Sequence, residues 1–279
     1  MKPKVIVVCG PTATGKSDYA VKLAKKIDGE IISADSRQVY KDLNIGTGKI
    51  TKREMSGVAH YLLDVASPKR QFSVARYKKL GEHAIRDILK RGKTPIICGG
   101  TGFYIDTLLG LELPEVKPNL ALRKELNDVS LQKLFEKLKK IDPSRAKTID
   151  KKNKVRLIRA LEITHSLGKV PKIKKQKLYG VEWIGLSFQS EALKKRIHDR
   201  LLKRIKLGMI REAQKLHTEG LSFRRMEALG LEYKYLAYYL QKKLTKQQMI
   251  AQLETAIWHY AKRQMTWFKR NKEIKWIKN

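Results

Sequence analysis

The residues with the clearest chemical potential lie close to the amino terminus, in the stretch Gly10-Pro11-Thr12-Ala13-Thr14-Gly15-Lys16-Ser17. An apolar run, Val5-Ile6-Val7-Val8-Cys9, precedes it, and residues 18–26 read as a helix. Strand, glycine-bounded loop, Lys-Ser and helix, in that order, make a phosphate-binding loop, or P-loop. The two glycines let the backbone fold back and turn its N–H groups inward. The helix adds its positive end at the same point. Lys16 supplies an ammonium, and Ser17 a hydroxyl suited to a magnesium ion. Such a nest holds a di- or triphosphate without specifying which one.

Two further groups are expected at the same place. Glu30-Ile31-Ile32-Ser33-Ala34 reads as a buried strand ending at Asp35, and residues 94–98 read as another, followed by Gly99-Gly100-Thr101-Gly102. A parallel α/β sheet delivers strand ends and their loops to one edge, here the edge of the P-loop. Asp35 is therefore a candidate general base or metal partner, and also fits an N-cap after a strand. The tight glycine turn brings Thr101 and its backbone close. The strand over residues 94–98 ends without an acid, whereas P-loop enzymes that hydrolyse ATP or GTP usually end such a strand in a magnesium-holding Asp. That absence weighs against a kinase or motor.

The elements that must position these groups follow from hydrophobic period and punctuation. Residues 60–65 read as a short strand, and Ser73 caps a helix running to about Arg91, where Gly92 ends it. Residues 113–180 change character: Leu113-Pro114, Lys117-Pro118, Asp142-Pro143 and Val170-Pro171 punctuate lysine-rich helical segments over 120–126, 131–140 and 155–165. Residues 181–188 read as a strand returning to the sheet, and residues 190–270 as helical. Arg196, Arg200, Arg204 and Arg211 fall there at helical intervals. The fold class is α/β: a P-loop NTPase-like core with a parallel sheet flanked by helices, over 1–112 and 181–279, with a small helical insertion over 113–180.

The chain has 279 residues, 61 Lys+Arg against 27 Asp+Glu, and a formal net charge of +34. The excess is spread along the chain and densest in its middle third, so it is not a basic tail. A folded, enzyme-like chain of this charge points to a polyanionic partner, RNA or DNA before membrane. Runs such as Lys172-Ile173-Lys174-Lys175 suit either a solvated face or phosphate-backbone contact. The stretch from Tyr260 to Arg270 interleaves basic and aromatic residues, which can track a nucleic acid or pack on a core. The two cysteines, Cys9 and Cys98, sit in apolar runs and read as buried hydrophobes in a reducing compartment. No apolar run approaches a membrane span, and Met1-Lys2-Pro3-Lys4 leads straight into a strand, so a cytoplasmic protein is expected.

Taken together, the motifs resemble those of the bacterial tRNA dimethylallyltransferases, also called tRNA isopentenyltransferases. The matching stretches are the 10–17 loop, Asp35-Ser36-Arg37-Gln38-Val39-Tyr40, Asn44-Ile45-Gly46-Thr47-Gly48-Lys49, His60 with Leu62-Leu63-Asp64, Gly99-Gly100-Thr101-Gly102-Phe103-Tyr104, Arg159-Ala160-Leu161-Glu162-Ile163, and Tyr260-Ala261-Lys262-Arg263-Gln264 with Thr266-Trp267-Phe268. They span nearly the whole chain. The resemblance implies transfer of a dimethylallyl group from dimethylallyl diphosphate to the exocyclic amine of the adenine on the 3′ side of the anticodon in tRNA. Lys16, the loop N–H groups and Ser17 with Mg2+ would then hold the diphosphate, joined by Arg200. Asp35 would take the amine proton, and Thr101 would hydrogen-bond near the reacting groups. Ser36, Arg37 and Gln38 would hold the flipped-out base. Arg123, Val155, Arg156, Leu157, Ile158 and Arg159 match positions that touch tRNA. A monomer is expected.

Three departures from the family pattern stand out. Val155 replaces a usual Gln, Ile257-Trp258 a usual Thr-Arg, and Leu229-Gly230-Leu231 a usual Ile-Gly-Tyr. They imply an altered grip on tRNA with retained chemistry. The competing readings are a P-loop small-molecule kinase, a non-catalytic RNA-binding module, and a prenyltransferase acting on free adenine nucleotides.

Overall fold

A computed structural model describes residues 2–278. Six strands form one all-parallel sheet: β1 (Lys4–Cys9), β2 (Gly29–Ser33), β3 (His60–Tyr61), β4 (Thr94–Gly99), β5 (Gly180–Ser187) and β6 (Lys275–Lys278), in the order β3-β2-β4-β1-β5-β6. The central strands read as unbroken apolar runs because both faces of the sheet are covered. Alternation along them sorts the side chains. Val5, Val7, Cys9, Ile32 and Ile97 face one layer, and Ile6, Val8, Ile31, Ile96 and Cys98 face the other. The two cysteines therefore lie on opposite faces, both buried thiols.

On the second face lies α1 (Lys16–Lys26), through Ala20, Val21 and Ala24. A short α2 (Lys52–Met55) follows β2. The first face is covered by α3 (Val74–Lys90), capped by Ser73 and contributing Tyr77, Ala84, Ile85 and Ile88, and by α4 (Gly102–Leu108). The helical insertion has four helices: α5 (Leu120–Asn127), α6 (Leu131–Ile141), α7 (Pro143–Thr148) and α8 (Lys154–Leu167). The carboxy-terminal stretch resolves into α9 (Ser190–Lys206), α10 (Met209–Thr218), α11 (Phe223–Leu229), α12 (Leu231–Leu240) and α13 (Lys246–Phe268), with breaks at Gly208, Gly220 and Gly230.

Two elements differ from expectation. β3 stops at Tyr61, although residues 60–65 read as one strand, because Leu62 and Asp64 take φ of 64° and 56° and turn the chain away. β6 escapes the apolar pattern altogether. Its Lys275-Trp276-Ile277-Lys278 is an edge strand with a lysine at each end, a composition that discourages further pairing.

The chain divides into two compact units, residues 1–110 with 177–279 and residues 111–176, against a sequence reading of 113–180 for the insertion. The smaller unit has its own core, built from Leu126, Leu134, Leu138, Ala146, Leu157, Ile158 and Leu161. Its Glu162 is 1% exposed. The Glu162 carboxylate accepts from Arg123 Nε and Nη2, both at 2.8 Å, from the Asn119 amide at 2.6 Å, and from Arg159. Burial alone would raise its pKa, but the hydrogen bonds from Arg123 and Arg159 outweigh it and hold Glu162 at about 2.

Glu162→Ala should therefore loosen this unit by about 3 kcal/mol, the low end for a broken buried pair because both arginines can reach water. Amide hydrogen exchange would show α8 losing protection while the β1–β4 core keeps its own. Since the folded pKa lies below the unfolded one, the stabilisation is present above about pH 4.3 and drains away towards pH 2. Unchanged α8 exchange in the variant would contradict this account.

Candidate active site

The P-loop crosses the carboxyl end of β1, between β4 and β5. At Gly10 the backbone has φ of 140°, and a Cβ would lie 2.3 Å from the Leu186 carbonyl oxygen, so only glycine lets the loop leave the strand against β5. Ala13 and Gly15 also take positive φ, which curls the loop over the start of α1. Thr14 Oγ1 donates to Pro11 O at 2.9 Å and fixes the curl. Lys16 Nζ folds back to donate to Pro11 O, inside the loop. Burial pulls the Lys16 pKa down to about 8, and Arg200 adds to the effect. Ser17 is exposed at the start of α1.

Three arginines spaced by four on α9 form one ridge along this loop. Arg196 Nε donates to Ala13 O at 2.8 Å and its guanidinium covers the Phe188 ring. Arg200 Nη1 reaches Thr12 Oγ1 at 3.3 Å, and Nη2 reaches Gly48 O at 3.4 Å. Arg204 Nη1 donates to Gly46 O at 3.3 Å and to Glu232 Oε1 at 3.1 Å. Burial, then the neighbouring Arg204, brings the Arg200 pKa down to about 10. Two cations in a poorly hydrated cleft invite an anion.

Asp35 follows β2 at the same sheet edge. Its Oδ1 accepts from the Arg37 and Gln38 amides, at 2.8 and 3.3 Å, in an Asx turn that fixes the carboxylate and leaves Oδ2 unengaged by that turn. No helix follows, so Asp35 caps a turn and not a helix. Thr101 Oγ1 accepts from the Ser36 amide at 3.1 Å and hydrogen-bonds the Tyr260 hydroxyl, while the Thr101 amide donates to Ala34 O. Asp35 is close enough to Lys16, Arg200 and Tyr260 to shift each of them. Gln38 Nε2 donates to Gly48 O at 3.3 Å.

The structure thus brings together the P-loop, Lys16, Arg200, Asp35, Ser36, Arg37, Gln38 and Thr101. The remaining expected residues belong to the smaller unit. There Leu157 is fully buried and Ile158 is 6% exposed, and both side chains belong to the core of that unit. Arg123 and Arg159 are tied to Glu162. Val155, at 75% exposure, and Arg156 face solvent.

Residues without an assigned role in the sequence turn out to organise the site. Gln264 of α13 is buried; its Oε1 accepts from the Thr12 amide at 2.8 Å and its Nε2 donates to Gly100 O at 2.9 Å, bridging the P-loop and the β4 loop. Glu212 holds the turn over residues 44–46. Gln264 sits in a quoted motif, whereas Glu212 carries no local signal. The Tyr260–Arg270 patch also sorts differently from a nucleic-acid track. Ala261 and Phe268 enter the core, Trp267 lies against Gly102 and donates to Asp106 Oδ2 at 3.2 Å, and the exposed residues are Thr266 and the basic Lys262, Arg263, Lys269 and Arg270. Of the departures, Leu229 and Ile257 are buried in that same core. Among the described residues no helix is long and apolar enough to cross a membrane.

Comparison with known proteins finds relatives that match nearly the whole chain. The family described as IPP transferase matches residues 38–271. The tRNA dimethylallyltransferase of Anoxybacillus flavithermus is 42% identical over 99% of this chain and 91% of its own length, and that of a Thermoanaerobacter species is 40% identical over 99% and 92%. The crystal structure of full-length tRNA isopentenylpyrophosphate transferase from Bacillus halodurans superposes with a TM-score of 0.75 at 37% identity, covering 99% of this chain and 90% of that one. A eukaryotic dimethylallyltransferase captured acting on tRNA gives 0.85 at 28% identity, over 99% and 74%. Its parallel sheet, its phosphate loop and these likenesses make the chain a P-loop NTPase-like enzyme that belongs to the tRNA dimethylallyltransferase family.

Proposed function

We propose that the protein transfers the dimethylallyl group of dimethylallyl diphosphate to the exocyclic amine of the adenine 3′ to the anticodon in tRNA, releasing pyrophosphate. What supports this reading is that Asp35 and Thr101 lie beside the P-loop, with the Lys16 and Arg200 side chains on the same loop. The allylic C–O bond breaks and a C–N bond forms. Negative charge builds on the departing diphosphate, and Lys16, Arg200 and the loop amides would stabilise it there. The amine proton passes to Asp35, whose Asx turn holds the carboxylate still during the step. Thr101 fixes the Ser36 amide and hence the turn that carries Asp35.

Mg2+ fits as an ion carried by the diphosphate. The exposed Ser17 hydroxyl and substrate oxygens would hold it, and no cluster of three or more His, Cys, Asp or Glu among the described residues offers a resident site. It would supply charge neutralisation on the leaving group. The net charge of +34 and the solvent-facing Arg156, Lys172, Lys174 and Lys175 support a large RNA as acceptor, with Ser36, Arg37 and Gln38 at the base. On this reading the working form is a cytoplasmic monomer.

Asp35→Asn keeps the Asx turn and removes the proton acceptor. Single-turnover transfer should fall by about 10²–10⁴-fold while pyrophosphate and tRNA still bind. Near wild-type turnover would show that Asp35 is not the base. Pyrophosphate affinity should be flat below about pH 8 and weaken up to tenfold per unit above it, because the anion binds the charged form of a Lys16 whose free pKa is about 8. Titration calorimetry across pH 6.5–10 reads this slope, and a flat profile would remove Lys16 from the grip.

A further inference from the structure

Both substrate-facing sides of the site hang on one turn, residues 44–48, and that turn hangs on one carboxylate from outside the site. Glu212 lies in the first turn of α10. Its Oε2 accepts from the Asn44 amide at 3.0 Å and the Ile45 amide at 2.7 Å. Its Oε1 accepts from the Gly46 amide at 2.9 Å and the Tyr233 hydroxyl at 2.7 Å. Four donors on two oxygens fill the capacity of an ionised carboxylate.

The turn so held presents two carbonyls outward. Gly46 O takes Arg204, and Gly48 O takes both Arg200 and Gln38. Gly48 has φ of 58°, and a Cβ there would lie 2.5 Å from Arg200 Nη2, so the arginine packs directly on the turn's backbone. Arg200 goes on to Thr12 of the P-loop, and Gln38 continues the Asx turn of Asp35. A shift of the turn would therefore move the diphosphate cation and the residue beside the base together.

We propose that Glu212 is a positioning residue for the transfer reaction: it touches neither substrate, and acts by fixing the 44–48 turn that aims Arg200 at the diphosphate and Gln38 at the acceptor base. This rests on the diphosphate reading of the P-loop. The carboxylate also offsets, at one remove, the crowding of Arg200 and Arg204 by keeping carbonyl oxygens between them.

The test is a double-mutant cycle on inorganic pyrophosphate affinity, measured by calorimetry with the full chain. Glu212→Gln replaces one acceptor oxygen by an amide that meets N–H donors head-on. It should weaken pyrophosphate binding about tenfold, a loss typical of a displaced charge-assisted contact. In an Arg200→Ala background the same change should cost nothing further, because the residue it positions is gone. Equal losses in both backgrounds, or no loss in either, would overturn the proposal, since a merely structural role does not depend on Arg200. If Glu212→Gln does not fold, Tyr233→Phe removes one of the four donors and is read the same way, with about a threefold loss that again vanishes without Arg200. An Arg200→Ala variant that binds pyrophosphate as well as wild type would refute the diphosphate reading itself, and with it this inference.

Discussion

Positive charge held where water is scarce is the constraint on which the rest of the site depends. Burial brings Lys16 to about 8 and Arg200 to about 10, and Arg204 presses on Arg200 from one turn away along α9. Left alone, such a cluster would repel itself apart. Its geometry is kept by backbone carbonyls of Pro11, Ala13, Gly46 and Gly48, by Glu232 on Arg204, and by the nearby Asp35. Carbonyl oxygens carry only partial charge, so on the proposed reading Lys16 and Arg200 keep charge to offer an incoming anion. In the proposed transfer, a diphosphate leaving group would need that charge most when the allylic bond is breaking.

The sheet explains how so few residues meet. Parallel strands deliver the P-loop after β1, Asp35 after β2 and Thr101 after β4 to one edge. The helices packed behind that edge close the arrangement. α9 contributes its arginine ridge, and α13 sends Gln264 between the two glycine-rich loops, where it bonds a donor of one and an acceptor of the other. Trp267, one turn further on, lies against Gly102 of α4. The motif at the carboxy-terminal end of α13 is thus partly a wedge between loops.

Much of this was legible in the sequence, for reasons tied to particular residues. The P-loop, the Ser73-capped helix and the β2 and β4 loops carry local signals: glycines where the backbone must curl, unbroken apolar runs where both faces are buried, and a side chain that caps. β3 was read four residues too long because positive φ at Leu62 and Asp64 leaves no mark in an apolar run. β6 was missed because an edge strand between two lysines looks like a tail. That the side chains of Leu157 and Ile158 enter the smaller unit's core was not marked by the motif that singled them out, since it depends on the helical phase of α8. Glu212 was invisible, since its role arises from a contact 166–168 residues away along the chain.

The central claim is that a five-carbon group is moved onto one adenine of tRNA, with the P-loop used for a leaving pyrophosphate and not for ATP turnover. Mass spectrometry of unmodified tRNA after incubation with the protein, magnesium and dimethylallyl diphosphate, without ATP, tests it most directly. The account predicts one five-carbon unit on the adenine 3′ to the anticodon. Transfer to AMP but not to tRNA, or no transfer with ATP consumed when ATP is supplied, would contradict it.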